Sequence, residues 1–267
     1  MNEMNELKHL QNVILMMVKD IDEICRNNHI DYFLAGGSAL GAIRHSGFIP
    51  WDDDLDIGMD PENYDKFIEA CKKNLDPQKY YLEEGFVDWP MPFTKIRLRG
   101  TVYSEEENQG KKTEQQGIFI DVFPLEHVPN KRITQIWMYI WGKLINAHCL
   151  SARGYKSASL YKKIIMFIST PLKSNKIRQY ARKQVERYRG TKTAYLGSFY
   201  SNERFRNFLF KQSIFNSYIS VPFEDTELPV PSGYHEMLTQ LFGDYMTPPP
   251  ISMQQGGHYI GVDFGKY

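Results

Sequence analysis

Four carboxylates crowd into five residues of the string Trp51-Asp52-Asp53-Asp54-Leu55-Asp56, shortly after the glycine pair of Gly36-Gly37-Ser38. Asp54 and Asp56 are two apart in a stretch whose alternation reads as a strand, so both project from one face, roughly 6–7 Å apart. Carboxylates held that close repel each other, and the usual remedies are protonation or a divalent cation. Hard oxygen ligands beside a Gly-Gly-Ser turn able to cradle phosphate indicate Mg²⁺ or Mn²⁺ acting with a phosphorylated substrate. A further acid, Asp121, sits in the apolar run Ile120-Asp121-Val122-Phe123, where burial is costly unless it is paired or metal-bound. It can complete a triad with Asp54 and Asp56 that holds two ions across a phosphate. Asp52 and Asp53 are equally well read as residues of a surface turn.

These side chains need elements to hold them. Leu7, Leu10, Ile14, Met17, Ile21 and Ile24 recur at steps of three and four, which predicts an amphipathic helix over 6–28. Asp31 to Ala35 reads as a short buried strand that stops at the glycines, and Ser38 suits the N-cap of a short helix reaching Ile43. Asp54–Met59 is the next strand. Asp60-Pro61 then offers a cap and a first-turn proline for a helix to about Leu75. Phe93–Leu98 and Ile118–Phe123 are two more strands, and the polar stretch from Glu105 to Gln116 is a loop. Tyr234 to Phe242 reads as a short helix capped by Ser232. Strands and helices in this alternation through residue 125 argue for an α/β or α+β arrangement; the expected fold class is α+β, with a catalytic core over 1–130.

At 42% hydrophobic and 24% charged, the 267-residue chain has the composition of a globular protein. Its formal net charge of zero conceals segregation: residues 1–130 carry −11, residues 131–215 carry +16 and residues 216–267 carry −5. The basic middle reads as mainly helical, and the last segment is expected to pack back on the core. In the middle, Trp137, Tyr139, Trp141 and the run Ile164–Ile168 interleave with Lys131, Arg132, Lys143, Lys162, Lys163 and Lys173. Basic side chains beside aromatic and aliphatic clusters are what an interfacial membrane contact requires, with core packing of the same helices as the alternative. No nucleic-acid-binding motif accompanies the charge. No apolar run is long enough to span a bilayer, and no signal-peptide pattern opens the sequence. Cys25, Cys71 and Cys149 lack metal-ligand spacing and read as core filling. A cytoplasmic setting, with peripheral contact at the inner membrane face, follows as the expectation.

The string from Phe33 through Gly36-Gly37-Ser38 and Trp51 to Asp56 resembles the LicD family. So do Ile120-Asp121-Val122-Phe123-Pro124-Leu125 and Gly243-Asp244-Tyr245-Met246-Thr247-Pro248-Pro249, and together these bracket nearly the whole chain. The resemblance implies a nucleotidyltransferase-like mixed sheet. It also implies a phosphotransferase that moves phosphocholine from CDP-choline to a sugar of a cell-surface glycan, lipopolysaccharide or teichoic acid precursor, the acceptor being lipid-linked. Relatives such as fukutin-related protein use CDP-ribitol instead. By matching motif, Asp54, Asp56 and Asp121 would be the metal ligands, while Gly36, Gly37 and Ser38 would meet the diphosphate. Lys95, Arg97 and Arg99 share one strand face, so at least one could reach the phosphates. Arg44 could bind phosphate or pair with an acid. Asp53 or a free face of Asp121 could accept the hydroxyl proton, and Asp244 belongs to the third motif without an assigned role. Trp51 is the leading aromatic for a quaternary ammonium, with Trp89 and Tyr103 weaker; His45 and His258 read as structural.

Three other readings stay open at this level. One keeps the fold and changes the donor to CDP-ribitol, CDP-glycerol or an ethanolamine analogue. Another is a true nucleotidyltransferase, separated by its product: pyrophosphate rather than CMP. The last is a glycan-binding module without catalysis, against which the complete acidic triad argues.

Overall fold

The computed structural model describes residues 3–88, 91–104, 115–155, 159–200, 205, 207–254 and 260–267. Trp89, His258 and most of the expected 105–116 loop lie outside the described residues. Helix α1 (Glu3–Asn27) leads into strand β1 (Phe33–Leu34), helix α2 (Gly36–His45), strand β2 (Asp56–Met59) and helix α3 (Pro61–Asn74). Strands β3 (Tyr80–Glu83), β4 (Thr94–Leu98), β5 (Val102–Ser104) and β6 (Phe119–Pro124) follow. One mixed sheet runs in the order β1-β2-β6-β4-β3, with β2 and β6 parallel and the other neighbours antiparallel. Its apolar face carries Ile57, Ile96, Leu98, Ile120 and Val122, all buried, and packs on α1 and α3. This is the greasy side that the three-four periodicity of α1 exists to cover.

The expected helix cap at Asp60 is in place: Asn63 N donates to Asp60 Oδ1 at 2.8 Å, with Pro61 in the first turn. Two other expected caps are corrected. Helix α2 begins three residues early, with Ala35 at its N-cap, because Gly36 takes φ +49° and lets the chain turn straight out of β1. Ser38 therefore lies inside the helix, where its Oγ accepts from Asp56 N at 2.8 Å. Gly233, not Ser232, precedes the helix over Tyr234–Phe242, and the Ser232 hydroxyl accepts from Ser217 Oγ at 2.9 Å instead.

Beyond the sheet, strand β7 (Glu126–Val128) precedes helices α4 (Arg132–Ala152), α5 (Leu160–Ile168) and α6 (Asn175–Val185). The basic region is not helical throughout. Strands β8 (Tyr195–Gly197) and β9 (Leu209–Lys211) form a three-stranded sheet with β7, which crosses the boundary expected at residue 130. This layer has its own apolar cluster, including Met138, Ile145, Cys149, Val185 and Phe199. The hairpin of β10 (Tyr218–Phe223) and β11 (Thr226–Pro231) and helix α7 (Tyr234–Phe242) place Phe223, Leu228, Val230 and Met237 in the main core. Strand β12 (Gly261–Asp263) pairs with β5. All three cysteines are buried thiols, and burial pushes Cys71 and Cys149 up to about 12, well away from reactivity.

Helix α2 packs closely at Gly41 against the 47–49 turn that leads to the acidic stretch. A Cβ there would stand 2.5 Å from Gly47 O and 3.1 Å from Ile49 N, both backbone atoms. Gly41→Ala should therefore destabilise the fold by about 1–3 kcal/mol, the usual effect of overpacking, as measured by urea unfolding. A variant as stable as the wild type would show that the 47–49 turn can yield.

Candidate active site

The register of the sheet sets the site. Asp56 on β2 stands opposite Asp121 on β6, Asp121 opposite Lys95 on β4, and Lys95 opposite Glu83 on β3. Directly paired residues share a sheet face, so one cross-sheet row reads acid, acid, base, acid. The Asp121 Oδ1 takes a 2.6 Å ion pair from Lys95 Nζ, which also lies 3.2 Å from the centroid of the Phe119 ring. Next along β4, Arg97 Nε donates to Glu83 Oε2 at 2.6 Å and its Nη1 to Gly117 O at 3.0 Å.

Asp54 was expected on the strand beside Asp56, but β2 begins at Asp56 and residues 52–55 form an irregular stretch. Three contacts hold this stretch in place. Gln11 Nε2 donates to Ile49 O at 3.3 Å and to Asp52 O at 2.9 Å. The Tyr103 hydroxyl donates to Asp53 Oδ2 at 3.0 Å. Asp121 N donates to Leu55 O at 3.2 Å, carrying the β2–β6 pairing one step past the strand. Among the described residues, Asp52, Asp53 and Asp54 place carboxylate oxygens within 4.8 Å of one another. Asp52 also lies against the start of α2: a Cβ on Gly37 would meet its Oδ2 at 3.2 Å.

Electrostatics ties this cluster to the strand pair. Asp56 is half-buried, and burial desolvates its carboxyl. That desolvation, followed by repulsion from Asp54 and Asp121, holds it well above the usual carboxylate range, while Lys95 pulls the other way. Asp54, Asp56 and Asp121 thus gather hard oxygen donors beside Lys95, the donor chemistry suited to a divalent cation such as Mg²⁺ or Mn²⁺. The first turn of α2 adds the positive end of a helix dipole at Gly36 and Gly37, which are partly exposed. An anion and a cation can thus be held side by side.

Other expected residues fall elsewhere. Arg97 is fully buried with its Glu83 partner, so it braces the sheet instead of reaching phosphate; of the three basic residues on that face, Lys95 is the one beside the acids. Arg99 turns to Tyr80 O at 3.0 Å. Arg44 lies at the far end of α2, donating to His45 Nε2 at 2.9 Å and to Tyr245 O at 3.0 Å. Asp244 is exposed and accepts from Thr247 Oγ1 at 2.7 Å. The third motif therefore clasps the C-terminal end of α2, opposite the glycines. Asp53 is 1% exposed and held by Tyr103, itself buried, so neither opens onto a substrate from solution. Trp51 is partly exposed, packs on the core edge and meets His45 edge-on at 6.2 Å between centroids.

Sequence reasoning missed Gln11, Glu83 and the supporting role of Tyr103. For Gln11 a signal existed: it sits one turn after Leu7 and just before Ile14, a polar side chain on the apolar stripe of α1 that must find a partner when buried.

Comparison with known proteins places this geometry in context. Residues 29–150 match the sequence model of the LicD/FKTN/FKRP nucleotidyltransferase domain, a span that contains β1 through β7 and the acids Asp52, Asp53, Asp54, Asp56, Glu83 and Asp121. The lipopolysaccharide cholinephosphotransferase LicD of Haemophilus influenzae is 29% identical over 259 residues, which cover 94% of this chain and 96% of that protein. The ribitol 5-phosphate transferase FKRP of Homo sapiens is 57% identical over 30 residues, 11% of this chain and 6% of FKRP. An uncharacterized protein of Rickettsia prowazekii, RP689, is 48% identical over 46 residues, 17% of each chain.

Proposed function

We propose that this chain, a member of the LicD family, transfers phosphocholine from CDP-choline to a sugar hydroxyl of a cell-surface glycan precursor, releasing CMP. The observation that carries the reading is the cross-sheet row Asp56–Asp121–Lys95 beside the glycine end of α2. It sets hard anionic ligands, one cation and a helix N-terminus at a single place, as a diphosphate ester requires. The choline form is favoured because likeness to a cholinephosphotransferase runs over 94% of the chain, whereas likeness to a ribitol phosphate transferase spans 30 residues.

In this reading the diphosphate lies at the first turn of α2, its oxygens accepting from the backbone N–H groups there. Lys95, fixed by Asp121, supplies positive charge against the phosphate undergoing transfer. Asp54, Asp56 and Asp121 would hold Mg²⁺ or Mn²⁺, with Asp52 beside them; the ion would neutralise charge on the diphosphate and on the departing CMP. The bond from the outer phosphorus to the bridging oxygen breaks as the bond to the sugar oxygen forms, and the hydroxyl proton passes to a carboxylate of the cluster. Trp51, partly exposed and next to Asp52 in the chain, would offer the aromatic surface to a quaternary ammonium.

The test is a product assay. With Mg²⁺, a panel of CDP-alcohols and a glycan acceptor, CDP-choline should give CMP and a phosphocholine-modified sugar. Release of pyrophosphate from a nucleoside triphosphate in its place would move the chain to the nucleotidyltransferases. A preference for CDP-ribitol would keep the chemistry and replace the alcohol.

A further inference from the structure

The outer surface of the basic helical layer is unusually apolar for one that faces water. On α4, Ile133, Ile136, Trp137 and Ile140 recur at three- and four-residue steps and are all exposed, while Met138, Ile145 and Cys149 on the other side fill the layer's core. Helix α5 buries no residue at all, although Leu160, Ile164, Phe167 and Ile168 make it strongly hydrophobic. Phe167 is 79% exposed and Leu160 72%. Side chains of this kind left in water forfeit about 25 cal/mol per Å² of apolar surface, and contiguous patches of them mark a contact.

Charge identifies what the contact is with. Between Glu126 and Glu186 the sequence holds 12 Lys and Arg and no Asp or Glu. Lys162 and Lys163 lie on the same exposed helix as Phe167, and Lys173 and Lys176 follow within the next two turns of chain, all exposed. A second copy of the chain would set this uniformly positive surface against itself, which like charges oppose. Nucleic acid would match the charge but leaves the protruding aliphatic side chains without a partner. A lipid surface with anionic headgroups satisfies both: lysines at headgroup level, and Leu160, Phe167 and Ile168 below it. Helix α5, at nine residues, is far too short to cross a bilayer, and no described helix is long and apolar enough to do so. The geometry is that of a helix lying in the plane of the interface.

We propose that the outer faces of α4 and α5 dock this protein on an anionic lipid surface. Binding is read without turnover, so the inference stands or falls separately from the transferase reading. The experiment is cosedimentation of the full chain with vesicles of phosphatidylcholine alone or mixed with phosphatidylglycerol, at low and high salt. The mixed vesicles should bind the protein, high salt should release it, and neutral vesicles should bind little. The double variant Lys162→Gln/Lys163→Gln should bind mixed vesicles about thirtyfold more weakly, from ~1 kcal/mol per basic residue at the surface. Phe167→Asp should lose most binding, with circular dichroism and melting temperature little changed because the side chain is 79% exposed. Equal binding to both vesicle types, or wild-type binding by Phe167→Asp, would overturn the proposal. So would a dimer of the wild-type chain by sedimentation velocity that Phe167→Asp dissociates.

Discussion

Replacing Asp56 with Asn should abolish turnover and, in the absence of divalent cations, raise the melting temperature. The two effects share one cause. The Asp56 carboxyl is desolvated and crowded by Asp54 and Asp121, so its ionised form is held at a cost to the folded state. An amide of the same shape removes the repulsion, and relief of even 1 kcal/mol raises the melting temperature by about 2–4 °C in a chain of this size. The same change removes an anionic ligand from the proposed cation site, and the rate of CMP release should fall by about 10³-fold or more, corresponding to roughly 4 kcal/mol of lost transition-state stabilisation. A third measurement separates this from a general gain in rigidity. Mg²⁺ at about a hundred times its dissociation constant should stabilise the wild-type protein by ~2.7 kcal/mol and the variant by much less. If Asp56→Asn keeps wild-type turnover, or if Mg²⁺ stabilises both proteins equally, Asp56 is not a ligand. Sites that store repulsion in this way trade stability for function, and the trade becomes visible when one carboxylate is neutralised.

Much of this arrangement was legible in the residues because local chemistry and local structure agreed. The apolar stripe of α1, the Asp60-Pro61 start of α3 and the acid at Asp121 inside an apolar strand each carried their own signal. What could not be read was pairing. Nothing in the spacing of Lys95 and Arg97, which share a strand face, says that one meets Asp121 and the other Glu83; that follows from β4 lying between β6 and β3. The irregular path of residues 52–55 was equally hidden, since the alternation from Asp54 is good strand sequence. It is overridden by distant partners, Gln11 on α1 and Tyr103 on β5. Strand pairs and tertiary hydrogen bonds join residues far apart in the chain, and a single sequence displays only the near ones.

The division of labour between Lys95 and Arg97 leads to the other large effect. Arg97→Met should cost about 3–5 kcal/mol of folding stability, because it strands the Glu83 carboxylate in the interior, where both partners are 0% exposed. Glu83→Leu alone should cost a similar amount by leaving the guanidinium unpaired. Joining the two changes should recover most of the loss, since a buried ion pair replaced whole by apolar groups is close to neutral. Urea unfolding of the four proteins closes this cycle. Catalysis gives the opposite ordering. The folded fraction of Arg97→Met should retain its KM for donor, whereas Lys95→Met should lose turnover by a factor of about 10² or more, as when a group aimed at developing phosphate charge is removed. Were Arg97→Met to raise the donor KM tenfold while leaving stability intact, the guanidinium would belong to the phosphate site after all. The sheet then has one row of charged side chains doing two kinds of work. At the Asp56–Asp121–Lys95 end, acids crowd one another, and a cation bound with the substrate would relieve that repulsion. At the Glu83–Arg97 end the charges are sealed and matched, so the strand that carries Lys95 cannot shift.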